Sequence, residues 1–244
     1  MSTPDIVSRA EWLAAREALL EKEKHLTRMR DQLNAERRAL PWVRVEKPYV
    51  FDSAGGSKTL ADLFDGRSQL IVQHFMFSPD WEEGCIGCSF GSDHIEAALV
   101  HLEHHDVSFA RVSRAPLAKL LAFQKRMGWR GVWVSSHGSD FNYDFGVSFR
   151  KRDVLRREVY YNYRKTKTSM EDLSGLSVFC RNPDGELFHT YSTYARGDEL
   201  IDTTYMLLDL TPKGRNENGP HYNLVDWVRH HDRYDDVRRA DATA

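Results

Sequence analysis

The sequence of 244 residues has few cysteines, no long apolar run and no excess of either charge. Its three cysteines, Cys85, Cys88 and Cys180, are too few and too unevenly spaced for a secreted fold held together by disulfides. Its longest apolar run, residues 70–77, is interrupted by polar side chains and is far too short for a bilayer span. The N-terminal stretch also lacks the apolar segment of a secretory signal. We therefore expect a soluble, cytoplasmic protein that makes no membrane contact.

Neither sign of charge prevails, because 34 Lys and Arg residues face 36 Asp and Glu residues, for a net charge of −2. That balance gives the chain no general attraction to nucleic acid or to anionic lipid. Apolar residues make up 41% and charged residues 29%, which excludes a disordered chain and allows a substantial core. No glycine-rich phosphate loop follows any predicted strand, so simple dinucleotide-binding and P-loop folds are excluded. We expect no cofactor.

Residues 8–40 are predicted to form one long helix. Ser8 and Glu11 match the capping box that starts a helix, and Pro41 ends the segment. Of the second set of positions that a coiled coil needs as apolar, Ala15, Lys22, Met29 and Glu36, two are charged, so a two-residue seam is missing. The helix is expected either to pack along its own domain or to pair with a second copy in a homodimer. Its apolar residues recur every seven positions: Trp12, Leu19, Leu26, Leu33 and Leu40.

The remaining sequence alternates short β runs with amphipathic helical segments. Strands are predicted at 43–51, 69–77, 107–113, 128–136, 176–181 and 186–194, and helices at 89–105, 115–127, 200–209 and 223–234. This order predicts an α/β fold with a mixed central sheet flanked by helices, a long N-terminal helix and a C-terminal helical extension. The predicted organisation is a helical extension (1–41), an α/β domain (42–211), and a polar linker with the last helix (212–244).

An insert at 150–168 combines basic residues with tyrosines. Basic and aromatic side chains together can bind single-stranded nucleic acid through phosphate pairing and base stacking. The other interpretation is a solvated insert whose tyrosines pack over the domain. The balanced net charge favours the second interpretation, so we do not expect a nucleic-acid partner.

The sharpest chemical signal is Cys85-Ile86-Gly87-Cys88, which follows a predicted buried strand and opens a predicted helix. The N–H groups at a helix N-terminus favour an anion, so the thiol of Cys85 should lose its proton near neutral pH. Cys88, one turn later, is placed to attack a mixed disulfide on Cys85. Nearby carboxylates (Asp80, Glu82 and Glu83) should oppose the thiolate, so only a mild lowering of the pKa is expected.

Two other interpretations of this motif remain open, namely half of a metal site and an inert pair of thiols. A structural zinc site needs four ligands, and the sequence has no second cysteine pair. A histidine group (His101, His104 and His105) falls at the far end of the same predicted helix, which suggests a solvated helix end. We therefore expect no bound metal and a Cys85–Cys88 disulfide that forms and reopens reversibly.

Several segments resemble the thioredoxin superfamily, nearest its peroxiredoxin-like branch. More narrowly, the chain resembles a bacterial family of unknown function described as thioredoxin-like predicted dithiol–disulfide oxidoreductases. The resemblance covers nearly the whole chain and is carried by these stretches: Leu60-Ala-Asp-Leu-Phe, Leu70-Ile-Val-Gln-His-Phe, the Cys85-x-x-Cys88 motif, Ser113-Arg-Ala-Pro-Leu-Ala, Gly138-Ser-Asp-Phe-Asn-Tyr-Asp-Phe, Tyr160-Tyr-Asn-Tyr, Asn182-Pro-Asp-Gly, His189-Thr-Tyr-Ser and Leu208-Asp-Leu-Thr-Pro-Lys-Gly.

The resemblance implies a thioredoxin-like domain over 42–211, with Cys85 as attacking thiol and Cys88 as resolving thiol. It also implies that the strand facing the dithiol, which begins at Leu176 and Ser177, forms part of the substrate site. Trp81, four residues before Cys85, is expected either to shade the thiol from water or to pack in its loop. Thioredoxin-like enzymes carry a cis-proline before that facing strand, and no proline stands there in this chain.

The predicted function is thiol–disulfide exchange with a disulfide or dithiol partner, either a protein or a small molecule. The alternative is a thioredoxin-fold protein that binds or scaffolds without turnover of its cysteines. A lowered pKa of Cys85 distinguishes the two.

Overall fold

The long N-terminal helix forms as its sequence predicts. In the computed structural model, which describes residues 5–234, helix α1 spans Arg9–Arg38. Its N-cap is Ser8, whose side chain and backbone form a reciprocal capping box with Glu11. The chain divides into two compact units, one ending at Pro41 and the other starting at Trp42. None of the α1 side chains is buried, and whether a second copy covers its apolar stripe stays a prediction.

The second unit contains the sheet and the remaining helices. Its strands are β1 (Val43–Arg44), β2 (Val50–Ser53), β3 (Gly56–Thr59), β4 (Gln69–His74), β5 (Val107–Ser113), β6 (Val132–Ser135), β7 (Val159–Tyr161), β8 (Arg164–Thr166), β9 (Gly175–Arg181) and β10 (Leu187–Tyr194). Its α-helices are α2 (Ile86–His104), α3 (Leu117–Met127), α4 (Phe141–Asp144), α5 (Lys151–Leu155) and α6 (Thr203–Leu208). The single strand predicted at 43–51 is wrong, because β1 and β2 are separate and pair with different neighbours.

Eight strands form one mixed sheet in the order β1-β10-β9-β4-β5-β6-β2-β3. Strands β4, β5 and β6 are parallel, and α2 and α3 make the crossovers between them. On the other side of β4, the β9–β10 hairpin adds antiparallel strands. The predicted fold class is thus confirmed as a mixed central sheet flanked by helices, with a long N-terminal helix. The Cys-x-x-Cys motif lies where the loop after strand β4 leads into α2. Within the described residues, no helix is long and apolar enough to cross a membrane.

The core falls into three clusters of buried side chains. The first contains side chains from β2, from the central strands and from α4, for example Phe51, Val72 and Phe141. The second contains Cys88 and a group of aromatic rings that includes Phe75, Phe123, Trp129 and Trp133. The third is formed by Phe90 of α2, Tyr205 of α6 and Val228 near the C-terminus. The dithiol therefore lies against well-packed aromatic core on one side.

The single amphipathic helix predicted at 223–234 is wrong. Only two 3-10 turns form there, Leu224–Asp226 and His231–Arg233. Asn223 and Asp226 satisfy each other's backbone N–H groups in a capping box around the first turn. Val228 is buried against α2 and α6 in the third cluster, so tertiary packing rather than helical periodicity sets the path of this segment.

The insert at 150–168 forms the short helix α5 and the separate β7–β8 hairpin. The hydroxyl of Tyr161 donates a hydrogen bond to the Ser174 carbonyl at 2.8 Å, and that of Tyr163 donates to the Ser192 carbonyl at 2.9 Å. Two of its tyrosines thus tie the insert to the segments around β9 and β10.

Candidate active site: the Cys85–Cys88 dithiol

The backbone of Met76, just beyond the end of β4, holds both cysteines. Its carbonyl accepts a hydrogen bond from the Cys85 N–H at 3.0 Å, and its N–H donates to Cys88 Sγ at 3.4 Å. The Cys85 carbonyl accepts from the N–H and the hydroxyl of Ser89 at 2.9 and 2.8 Å. These bonds fix the motif at the end of the central strand, as the order of sequence elements predicts.

Cys85 is the N-cap of α2, so its thiol lies at the positive end of the helix. The hydrogen bond from the Cys88 thiol lowers the pKa of Cys85 to about 7, burial opposes this effect, and the N–H groups of Cys88 and Gly87 add to it. A thiol with this pKa is about half ionised at neutral pH, which makes it a nucleophile. The sequence predicted the direction of this change, but it attributed the opposing effect to Asp80, Glu82 and Glu83, whereas burial is the main opposing cause.

Cys88 has the opposite character. Its side chain is buried, and both its hydrogen bond to Cys85 and its burial raise the pKa of Cys88 above the ordinary value. The charge of a Cys85 thiolate adds to the same effect. The site therefore holds one ionisable thiol at the helix end and one protonated thiol behind it, in the first turn of α2.

A cavity of about 340 Å³ opens beside the two cysteines. Its walls come from α2, from the start of β9, from the segment after β10 and from the first C-terminal 3-10 turn. Most of the lining is apolar. The apolar side chains that line it are Met76, Met170, Leu176, Ile201, Leu224 and Val225.

Two carboxylates, Asp198 and Asp202, also line this cavity, and neither was identified from the sequence. Burial raises the pKa of Asp198 to about 6 and the pKa of Asp202 to about 7. Asp198 raises the pKa of both thiols, which is the role that the sequence assigned to Asp80 and its neighbours. Both carboxylates are more than 100 residues from the motif, so no local pattern could have revealed them.

Glu83 is one of the acidic residues that were expected to oppose the Cys85 thiolate, but two arginines compensate its charge. Its carboxylate lies 2.7 Å from Arg126 and forms a second ion pair with Arg233. The ring of His230 donates a hydrogen bond of 3.0 Å to the carbonyl of Gly84. The C-terminal segment is thereby anchored to the loop that leads into Cys85.

Leu224, in the first of the C-terminal turns, forms the wall nearest the helix start. A Cβ at Gly87 would lie 3.3 Å from Leu224 and 3.9 Å from Cys85 Sγ, so the glycine leaves room for this close approach. The C-terminal segment thus belongs to the site, although its sequence suggested only a surface helix.

The predicted substrate-site residues lie in different places. Leu176 is buried and lines the cavity. Ser177 does not line it, because successive strand residues point to opposite faces. Instead Ser177 Oγ is 2.8 Å from both His74 Nε2 and Ser192 Oγ within the core. Trp81 is half-buried and packs against the aromatic cluster together with Cys85, and it does not line the cavity either.

The histidines at the end of α2 are exposed, in agreement with a solvated helix end. Across residues 5–234, no group of three or more His, Cys, Asp or Glu side chains is arranged to hold a metal ion. No cis peptide bond occurs in that part of the chain, and the two residues before Leu176 are Ser174 and Gly175.

The family model described as "Bacterial protein of unknown function (DUF899)" matches residues 1–234. No curated protein matches the sequence. Among solved structures, peroxidoxin BcpB from Mycobacterium tuberculosis is 12% identical with a TM-score of 0.45, over 67% of this chain and 92% of that one. Peroxiredoxin Q from Xanthomonas campestris is 14% identical with a TM-score of 0.44, over 69% and 96%. A PrxQ mutant from Xylella fastidiosa is 13% identical with a TM-score of 0.42, over 69% and 94%.

Proposed function

We propose that this chain, which belongs to the DUF899 family of bacterial proteins, is a thiol–disulfide oxidoreductase that works through Cys85 and Cys88. The observation that carries the proposal is the position of Cys85 at the start of α2, where the Cys88 thiol and two backbone N–H groups lower its pKa to about 7. Such a thiol reacts with disulfides at neutral pH, and its partner is one helical turn away.

The exchange proceeds in two steps. The Cys85 thiolate attacks one sulfur of a disulfide R–S–S–R, forms a mixed disulfide with it and releases the other half as a thiolate, which takes up a proton. Cys88 then loses its proton and attacks the Cys85 sulfur, which releases the second half as a thiol. The dithiol is oxidised by two electrons to a Cys85–Cys88 disulfide, and R–S–S–R is reduced to two thiols. With a dithiol partner, the same steps run in reverse.

The surroundings of the thiols support these roles. Cys88 stays protonated beside the Cys85 thiolate, so its hydrogen bond keeps the attacking thiolate in place until the mixed disulfide forms. Leu176 and Leu224 form apolar walls for the substituent R in the cavity next to Cys85. Trp81 and Cys85 pack against the same aromatic cluster, which covers this side of the site.

The test uses the full chain with Cys180→Ser, which leaves only the two thiols of the motif. The rate of alkylation against pH should show a thiolate with a pKa of about 7, well below the ordinary value of about 8.5. Mild oxidation should close the disulfide and dithiothreitol should reopen it, while Cys88→Ser should accumulate a stable mixed disulfide. A profile with an ordinary cysteine pKa would contradict the proposal and favour a binding protein with inert thiols.

A further inference from the structure

The cavity next to Cys85 has the size of a small-molecule site. Its volume of about 340 Å³ lies in the range of ligand pockets, about 300–1,000 Å³. Its apolar walls include Leu176 and Leu224, whose side chains offer contact to a ligand but do not select the sign of its charge. A disulfide with short substituents fits this space, whereas a folded protein would reach Cys85 only with a protruding segment of chain.

Asp202 faces this cavity with hydrogen-bonding capacity that the protein leaves unused. The residue is only 9% exposed, and its Oδ1 lies 3.1 Å from where a Cβ on Gly91 would stand, one helical turn beyond Cys88. In the described part of the chain its carboxylate accepts no hydrogen bond, and His94 Nδ1 is 4.0 Å away. Burial lowers the pKa of His94, so this ring is neutral and does not compensate the carboxylate.

Asp198 places a second negative charge at the same cavity. Its Oδ2 accepts one hydrogen bond, from Ser174 Oγ at 2.7 Å. Among the described residues, no lysine or arginine lines the cavity. Arg215, outside the cavity lining, lowers the pKa of Asp202, but burial and the charges of Asp198 and Glu199 outweigh it. Partly buried carboxylates without a cation in direct contact are unfavourable for folding, and a thiolate on Cys85 adds a further negative charge. A cationic ligand is the occupant that would offset these charges.

We infer that this cavity admits small disulfides with positively charged substituents in preference to anionic ones, an inference that rests on the proposed exchange at Cys85. An ammonium group on the substituent lies against Asp198 and Asp202 while the disulfide sulfur meets the thiolate. Carboxylate substituents, such as those of oxidised glutathione, meet like charges instead. The substrate class is therefore a low-molecular-weight cationic disulfide, which is reduced to two cationic thiols as the dithiol is oxidised.

The test measures how fast three disulfides oxidise the reduced, full-length protein at about pH 8. The probes are cystamine, which is cationic, hydroxyethyl disulfide, which is neutral, and dithiodipropionate, which is anionic. Each rate is divided by the rate at which the same disulfide oxidises dithiothreitol, because the leaving thiols differ in intrinsic reactivity. We expect the normalised rate for cystamine to exceed that for dithiodipropionate by about tenfold or more, since like and opposite charges differ strongly at short range.

The variants Asp198→Asn and Asp202→Asn should each reduce this ratio several-fold. Glu82→Gln is the matched control, because it removes the same charge from a carboxylate that is 91% exposed and does not line the cavity. It should leave the ratio unchanged. The ratio of the normalised rates for cystamine and dithiodipropionate is measured on the wild-type protein, so the inference can be tested even where a substitution impairs folding.

Different failures contradict different statements. If none of the three disulfides oxidises the protein dithiol faster than it oxidises free dithiothreitol, the proposed exchange itself fails. If all three react with equal normalised rates, or the anionic one reacts fastest, exchange stands and the charge preference fails. If Glu82→Gln lowers the ratio as much as Asp202→Asn, the preference comes from overall charge and not from the cavity, which also overturns the inference.

Discussion

Ser174 Oγ donates a hydrogen bond of 2.7 Å to Asp198, and this bond holds a carboxylate at the edge of the dithiol cavity. Ser174 directly precedes β9, and Asp198 lies in the 3-10 helix that follows β10. The two strands are antiparallel neighbours, with Gly175 opposite Tyr194, so the start of one lies beside the end of the other. The hairpin thereby brings to the thiols a charge that is far from them in the sequence.

The first prediction concerns this charge. Asp198→Asn should lower the pKa of Cys85 further, because the Asp198 carboxylate raises it in the wild-type protein. The midpoint of alkylation against pH, measured with Cys180→Ser, should shift down by a few tenths of a pH unit or more. Glu82→Gln should leave the midpoint in place, although it is much closer in sequence. Equal shifts in both variants would show that Asp198 has no special position.

The second prediction separates the contribution of Cys88 from that of the helix. Cys88→Ala removes the thiol hydrogen bond that lowers the pKa of Cys85, so the midpoint should rise by about one pH unit or more toward the ordinary value. Cys88→Ser keeps a hydroxyl donor at the same place and should show a smaller rise. Midpoints that stay at the wild-type value in both variants would mean that the helix N-terminus alone lowers the pKa.

The third prediction concerns stability and pH. Burial raises the pKa of Asp202 from 3.8 to about 7, so the folded protein favours the protonated carboxyl. The resulting stabilisation is fully present below pH 3.8 and is lost as the pH rises through 7. Asp202→Asn stays neutral, so its free energy of unfolding should exceed that of the wild type above pH 7, by about 1 kcal/mol or more.

Urea unfolding, followed by tryptophan fluorescence at several pH values, measures this difference. It should grow from about pH 4, pass through its steepest part below pH 7 and level off at about pH 8, where Asp202 is almost fully ionised in the folded protein. A difference that does not change with pH would mean that the substitution acts through packing rather than charge.

The fourth prediction concerns the glycine that precedes the motif. A Cβ at Gly84 would lie 2.7 Å from the buried ring of Phe75 and 3.1 Å from Phe123. Gly84→Ala should therefore cost about 1–3 kcal/mol of stability through overpacking, and it should also displace Cys85. Gly138→Ala is the control, because nothing lies within 4 Å of its Cβ position, and it should change stability by less than about 0.5 kcal/mol. Equal unfolding midpoints for the two variants would refute this packing.

The location and polarity of the dithiol are local properties, and the sequence alone predicts them. An apolar strand followed by Cys85-x-x-Cys88 and helical spacing places the first thiol at a helix N-terminus, because hydrogen bonds between near neighbours decide where a helix starts. The same reasoning predicts the start of α1, where Ser8 and Glu11 cap each other. The lowering of the Cys85 pKa is also local, because the Cys88 thiol and the N–H groups of Cys88 and Gly87 cause it.

Local sequence patterns did not predict the cavity wall that the segment at 223–234 forms. The segment at 223–234 has helical periodicity, yet it is too short for helix propensity to compete with tertiary contacts. Burial of Val228 and the hydrogen bond from His230 to Gly84 hold it in a non-helical path between two 3-10 turns. Leu224 reaches Gly87 only as a result of that path.

Sequence by itself determined which thiol has the lower pKa and where the motif lies relative to the sheet, since both depend on residues that are close together in the chain. Only the tertiary structure decided what surrounds the thiols. Alternation along β9 puts Leu176 at the cavity and Ser177 in the core. The pairing of β9 with β10 brings Asp198 and Asp202 to α2. Burial then changes the pKa of these carboxylates, and burial is a property of the folded chain alone.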